Sequence, residues 1–209
     1  GLISSVISDE KEVCPILCLR IDPDAQWIMK VNFLQPEDMW INLLDMEKDV
    51  AAERDGVRAL RNFRTSKSIG RLVAVLNDPD QFARVRMEAA TSLGIMAGED
   101  TQWAAATALI TDFRETHYQN GSLMNNDFSD FSRYLVAKSV LEALGSVMSY
   151  EPAEKSYEPA VDVILDVLRS NDNSTNRFSD YSFLYTLLVA ASQLRVTDAS
   201  RARQLNEQF

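Results

Sequence analysis

The chain has 209 residues, 46% of them hydrophobic and 25% charged. That composition excludes a disordered chain, a collagen and a disulfide scaffold, and a chain this long buries roughly 70% of the surface its unfolded form exposes. With 21 basic against 31 acidic residues the net charge is −10, which does not suit generic binding to nucleic acid or to anionic membrane.

Residues 1–12 read as a weakly structured lead-in. From Val13 to Ile21 the pattern is short and apolar, as in a strand. Asp22-Pro23-Asp24-Ala25 is a turn, since Pro fixes φ and Asp side chains bond nearby backbone. From Trp27 to Leu34 the residues alternate, with Trp27, Met29, Val31 and Phe33 on one face. The expectation is a β-hairpin, and a lone hairpin is marginal in water, so it must pack on something. After Pro36 everything reads as helix. Pro36, Glu37 and Asp38 open the first, with Trp40, Leu43 and Leu44 at helical spacing. The second carries Val50, Val57 and Leu60. The third carries Ile69, Leu72, Val73 and Leu76, an i, i+3, i+4, i+7 stripe. Asn77-Asp78-Pro79-Asp80 breaks the chain before a fourth with Val85, Ala89, Leu93 and Met96. Thr101 is the expected cap of a fifth, which carries Trp103, Ala106, Ile110 and Phe113. The polar stretch 118–131 reads as a long loop. A sixth helix carries Tyr134, Ala137, Leu141, Leu144 and Met148. Pro159 opens a seventh with Val161, Ile164 and Leu168. An eighth carries Leu184, Leu187, Leu188 and Leu194, and Asp198 opens a ninth.

These helices pair. The second members begin near residues 49, 82, 132 and 181, and two-helix units at roughly 40 residues mark HEAT or armadillo arrays. The clearest unit runs from Leu76-Asn77-Asp78-Pro79 through Val85-Arg86 and Ala89-Ala90 to Leu93-Gly94. Its small residues let the helix approach its neighbours closely. The predicted fold is mainly α: a HEAT/armadillo-like α-solenoid of about four helix pairs, preceded by a short β-hairpin. The predicted division is 1–35, lead-in and hairpin, and 36–209, helical repeats.

The chemistry available is narrow. His117 is the single histidine and no H-E-x-x-H occurs, which excludes a zinc peptidase centre of that type in this chain. Cys14 and Cys18 are too few for a structural zinc site, and two free thiols suit a reducing compartment. Four apart on a strand they lie ~13 Å from each other, too far for a disulfide. There is no basic leader and no apolar run long enough to span a membrane. Beginning at Gly1, the sequence reads as a fragment or processed form. Arg54, Arg58 and Arg61 share one helix face, and Arg64, Lys67 and Arg71 follow, with Arg84 and Arg86 beyond. This basic ridge is either a contact for DNA phosphate or an acidic peptide, or a solvated face balanced by Glu53, Asp55 and Glu88. Arg86 has the position from which HEAT units bond an aspartate of the neighbouring turn. Trp27, Trp40 and Trp103 read as core residues, and His117 as a helix C-terminal residue. Asn120-Gly121-Ser122 and Asn173-Ser174-Thr175 fit the N-glycosylation pattern by chance. No residue is assigned to catalysis, to a metal or to a cofactor.

The stretch Leu19-Arg20-Ile21-Asp22-Pro23-Asp24, followed by Lys30-Val31-x-Phe33, Met39-Trp40 and Glu47-Lys48-Asp49-Val50-x-Ala52, resembles the family of TBP-associated factor two, the large subunit of the general transcription factor TFIID. Arg84-Val85-Arg86-Met87 and the segment from Asn171-Asp172-Asn173 to Arg177-Phe178-Ser179-Asp180 extend the resemblance over most of 13–195. It implies an M1-aminopeptidase-like protein, here represented by the last β-hairpin and the HEAT-like domain, without peptidase activity. It further implies a nuclear scaffold that binds other TFIID subunits, above all the tail of TBP-associated factor eight. Promoter DNA contact is implied for the family and expected mainly outside this fragment. Two alternatives stay open: the C-terminal helical domain of an active M1 aminopeptidase, and a generic HEAT adaptor. No family functional residue maps onto a position here, so the basic ridge is the one candidate contact.

Overall fold

The computed structural model describes residues 16–24, 26–29, 33–147 and 157–194. Within them eight α-helices follow one another: α1 Glu37–Met46, α2 Val50–Leu60, α3 Ser66–Asn77, α4 Ala83–Met96, α5 Ala104–His117, α6 Phe131–Ser146, α7 Glu158–Ser170 and α8 Tyr181–Gln193. Their starts are set by local chemistry. The carbonyl of Pro36 receives the amides of Met39 and Trp40 at 3.0 and 3.3 Å. Asp49, Thr65 and Asp130 accept from Ala51, Ser68 and Arg133 amides and so cap α2, α3 and α6, each relieving an orphan donor of the first turn. Thr101 does not cap α5. It closes a 3₁₀ turn, Glu99–Thr101, and its hydroxyl donates to the carbonyls of Met96 and Gly98. The helix instead starts after two left-handed residues, Gln102 and Trp103.

The helices stack as four pairs. α2, α4, α6 and α8 lie side by side in one layer, and α1, α3, α5 and α7 in the other. Between the layers runs a continuous core that includes Val57, Leu60, Leu72, Leu76, Leu93, Leu109, Phe113, Leu144, Ile164 and Leu187, each completely buried. The layer containing α4, α6 and α8 is held at backbone distance. A Cβ at Gly94 would lie 3.0 Å from the Ala143 Cβ and carbonyl oxygen, and one at Gly145 would lie 2.6 Å from the Ala190 Cα. Small residues at these crossings are thus a geometric requirement of the stack.

The β-hairpin lies elsewhere than expected. The described residues of 16–24, 26–29 and 33–35 form no strand, while Val13, Cys14, Lys30, Val31 and Asn32 lie outside the described residues. The described lead-in is tied to α1 and to the residue pair before it: Asn42 Nδ2 donates to the Leu17 carbonyl at 3.0 Å, and the Leu19 amide donates to Gln35 Oε1 at 3.2 Å. Trp27, expected in the core, is 71% exposed. Met148 and the ninth helix also fall outside the described residues. The two-stranded antiparallel sheet sits in the stretch expected as loop, with β1 Tyr118–Gln119 paired to β2 Ser122–Leu123. Asn120 and Gly121 both have positive φ, 52° and 79°, as a type I′ hairpin turn demands.

Candidate functional site: the first helix pair and its cleft

The sequence placed six cations on α2, the turn after it and α3. The structure gives carboxylate partners to five of them. Glu88 of α4 receives Arg58 at 2.9 Å and Arg54 at 3.3 Å. Burial opposes the charge on Glu88, but its bonds to Arg58 and Arg54 outweigh that and hold the carboxyl below its ordinary range. Arg64 makes two 2.6 Å bonds to Asp100 and a 2.9 Å bond to the Ile95 carbonyl. Lys67 pairs with Asp38, and Arg71 pairs with Asp45 at 2.8 Å while donating to the Leu44 carbonyl at 2.9 Å. Each of these pairs joins the first helix pair, α1–α2, or the turn after it to the second pair, α3–α4, or its following turn. The ridge is therefore also a set of ionic ties between two repeats. The Arg61 guanidinium alone of the six has no hydrogen-bond or ion-pair partner among the described residues, its backbone amide bonding the Ala59 carbonyl.

Arg61 and Arg58 border a cleft of about 680 Å³ between the lead-in and α1–α2. Leu19, Ile21, Phe33, Trp40 and Phe63 supply its apolar lining. Phe33 meets Trp40 edge-on at 6.0 Å. Gln35, 8% exposed, uses its Oε1 on Leu19 and leaves Nε2 without a partner. Arg20, not singled out by sequence reasoning, is the residue that shapes this end. Its guanidinium holds Glu47 at 3.0 Å and also Asp49. Two stretches that carried the resemblance, Arg-Ile-Asp-Pro-Asp and Glu-Lys-Asp, thus meet across the α1–α2 turn. Asp22 then folds the lead-in by accepting the Gln26 and Trp27 amides at 2.9 and 2.8 Å.

The other candidates are structural. Trp40 is buried at 8%, and Trp103 stacks on Tyr157 with centroids 4.7 Å apart. Cys18 is a free, half-buried thiol, and Cys14 lies outside the described residues. Arg86 binds a carbonyl, Leu76 O at 2.8 Å, where a neighbouring aspartate was expected. Asn173 donates to the Phe178 carbonyl at 2.7 Å. The two polar loops are knit together: Asn125 donates to Thr175 and Asn176 to the Asn126 carbonyl.

His117 ends α5 with its ring stacked on Phe113 at 4.7 Å and Nδ1 at 2.6 Å from the Thr116 hydroxyl. Burial, and secondarily the charge of Arg133, push its pKa from 6.5 to about 4. The unfolded chain then holds the extra proton between those values, so this contribution is present above 6.5 and is lost as pH falls towards 4. The His117 ring protons should accordingly titrate in NMR spectra with a midpoint near 4. A midpoint near 6.5 would mean a solvated ring. Asp112 has the opposite sense, raised by burial to about 6.

Stacked helix pairs, an ion-tied first junction and a cleft beside it define a helical-repeat domain; the described residues contain no cluster of three or more potential metal ligands, and no described helix is long and apolar enough to cross a membrane. The chain belongs to the family described as TAF2-like, TPR repeats, whose model matches residues 37–208. That description assigns TPR repeats where the spacing read as HEAT-like, and both are arrays of paired helices. Among relatives, a protein of Gallus gallus named transcription initiation factor TFIID subunit 2 is 31% identical over 183 residues, 84% of this chain and 15% of its own length. Proteins of the same name from Danio rerio and Schizosaccharomyces pombe are 30% and 29% identical, over 84% and 81% of this chain and 15% of each relative. The chain thus spans about 15% of the length of the relatives it matches.

Proposed function

We propose that this chain is a non-catalytic scaffold module of a TFIID-type transcription initiation complex, acting in the nucleus by holding segments of other subunits. The supporting observation is family membership over residues 37–208, with relatives that bear the name of TFIID subunit 2. In this reading residues 1–35 are the end of an aminopeptidase-like β-domain and 36–209 the repeat domain. The partner segment is the tail of TBP-associated factor eight, running along the start of the array. Of the basic ridge, Arg61 is the cation available to it, beside the apolar cleft. Arg54, Arg58, Arg64, Lys67 and Arg71 contribute mainly by holding the first two helix pairs in register. Promoter DNA is contacted chiefly by other parts of the protein, as the acidic balance of this chain favours.

The test is fluorescence anisotropy with two labelled probes, the tail of TBP-associated factor eight and a promoter duplex, over a salt series. The tail should bind and the duplex should bind weakly. Arg61→Glu should weaken the tail about five- to tenfold, within the range for one charge at an interface, while leaving the unfolding midpoint unchanged. Unaltered tail affinity in Arg61→Glu would reduce the ridge to a structural feature. Duplex binding with a steep salt slope would move the function to DNA.

A further inference from the structure

The cleft beside the first helix pair is wider than its lining side chains fill. Trp40, Leu43 and Ala52 close its floor and are buried. Along the α2 wall stand Ala51, Ala52 and Ala59, side chains one carbon long. The lead-in brings Ile21, Phe33 and Leu34 to the other side. The space of about 680 Å³ between them contrasts with the close packing of a domain interior. Ile21 and Leu34 are exposed at its rim, so an occupant enters from solvent over apolar surface. Two polar groups of the lining lack partners among the described residues, and both are donors. Gln35 is more than nine-tenths buried; its Oε1 accepts from Leu19 and its Nε2 bonds nothing. The half-buried Arg61 has no counter-ion for its guanidinium. The other charges are engaged: Arg20 holds Asp49, Asp22 accepts two lead-in amides, and Arg58 is bonded to Glu88 and attracted by Asp55. A buried donor without an acceptor and a half-buried cation without an anion both carry a cost that an occupant bearing acceptors removes.

We propose that the cleft holds an extended peptide segment with an apolar and an acidic residue close together. The apolar side chain fills the space over Trp40, Leu43 and the α2 alanines. A main-chain carbonyl of the segment accepts from Gln35 Nε2, and the carboxylate pairs with Arg61. The two side chains stand within a few residues of each other, because Ala59 and Arg61 belong to the last turn of α2 and its cap. A nucleic-acid phosphate would also offer acceptors, but it has no apolar part for the floor, and the chain's net charge of −10 opposes it. The inference deepens the scaffold reading and rests on its placing a partner segment at the first helix pair. What it adds is the recognition chemistry, with Gln35 as the residue that fixes the segment's backbone.

The test uses the full chain, fluorescently labelled, on an array of capped decapeptides. Each carries one Phe and one Asp in a Gly/Ser background, one to four positions apart and in either order. Companion sets replace Asp by Asn or Lys, or Phe by Ser. The Phe–Asp set should bind about five- to tenfold better than Phe–Asn, and loss of the Phe should cost about tenfold or more. In Arg61→Gln the Asp and Asn sets should bind alike. Ala51→Trp, at an exposed position of the wall, fills the cleft and should abolish binding to every set. In NMR spectra of the wild-type chain, the Gln35 side-chain amide protons should move downfield when the best peptide is added. A preference for Asp that persists in Arg61→Gln, equal binding of all sets, or no binding would overturn the proposal. An unmoved Gln35 amide would overturn the main-chain contact. The TFIID reading fails separately: if the tail of TBP-associated factor eight binds wild type and Ala51→Trp equally, that reading stands and this one falls. If the array binds as expected and the tail does not, the reverse holds.

Discussion

Leu93→Ala should destabilise the chain by about 2–5 kcal/mol. Leu93 has no exposed surface, and α4, which carries it, packs against α2, α3, α5 and α6. With neighbours on every side the vacated volume cannot collapse, which places the cost towards the upper part of that range. Against a total stability of about 5–15 kcal/mol for a native domain, this loss brings the chain close to unfolding at physiological temperature. Urea unfolding followed by circular dichroism measures it, with Thr91→Ala as the reference. Thr91 is exposed on the same helix, so its replacement should change stability by less than about 0.5 kcal/mol. A Leu93 value equally small would contradict the packing of α4.

Gly145→Ala and Gly70→Ala should shift stability in opposite directions. In an open helix position alanine is favoured over glycine by up to about 1 kcal/mol. Gly70 on α3 is such a position, with nothing within 4 Å of an added Cβ, so Gly70→Ala should stabilise. At Gly145 the added carbon would meet the Cα, Cβ and O of Ala190 at 2.6, 2.7 and 2.8 Å. Two of these are backbone atoms, which no rotamer change can move. Relief therefore separates α6 from α8, and a net loss of about 1–3 kcal/mol is expected despite the propensity gain. Equal shifts of the two variants in a thermal melt would contradict the close crossing.

Much of the array is legible in the sequence because its causes are local. The stripe Ile69, Leu72, Leu76 gives α3, the acids after Pro36 give the start of α1, and the run Ala89-Ala90 to Gly94 announces the close crossing. The ionic ties are not local. Arg54 and Glu88 stand 34 positions apart, Arg58 and Glu88 30, Arg64 and Asp100 36. Those separations lie near the spacing of the first two repeats, so searching for opposite charge one repeat away would have found them. The hairpin at 118–123 had its signal in plain view, since Asn-Gly is a strong two-residue turn pair. Of the alternating stretch 27–34, the described residues 27–29, 33 and 34 form no strand, and 30–32 lie outside the described residues. The lead-in before it is held by side chains, Asn42 at Leu17 and Gln35 at Leu19. The unpaired state of Arg61 was beyond sequence reading, as it depends on where Glu88, Asp100 and Asp45 are already engaged.

The junctions between repeats differ in what holds them, and that gives the array a graded compliance. Between the first and second pairs, side chains of opposite charge reach across, several of them partly exposed. Such ties yield a little with distance and weaken as ionic strength rises. From the second pair onward, glycine sits against alanine with almost no spare distance. Steric contact of that kind resists sliding and is insensitive to salt. Bending of the array is accordingly expected to be easiest at its amino-terminal joint, beside the cleft. The three pairs that follow should move together as one stiffer body.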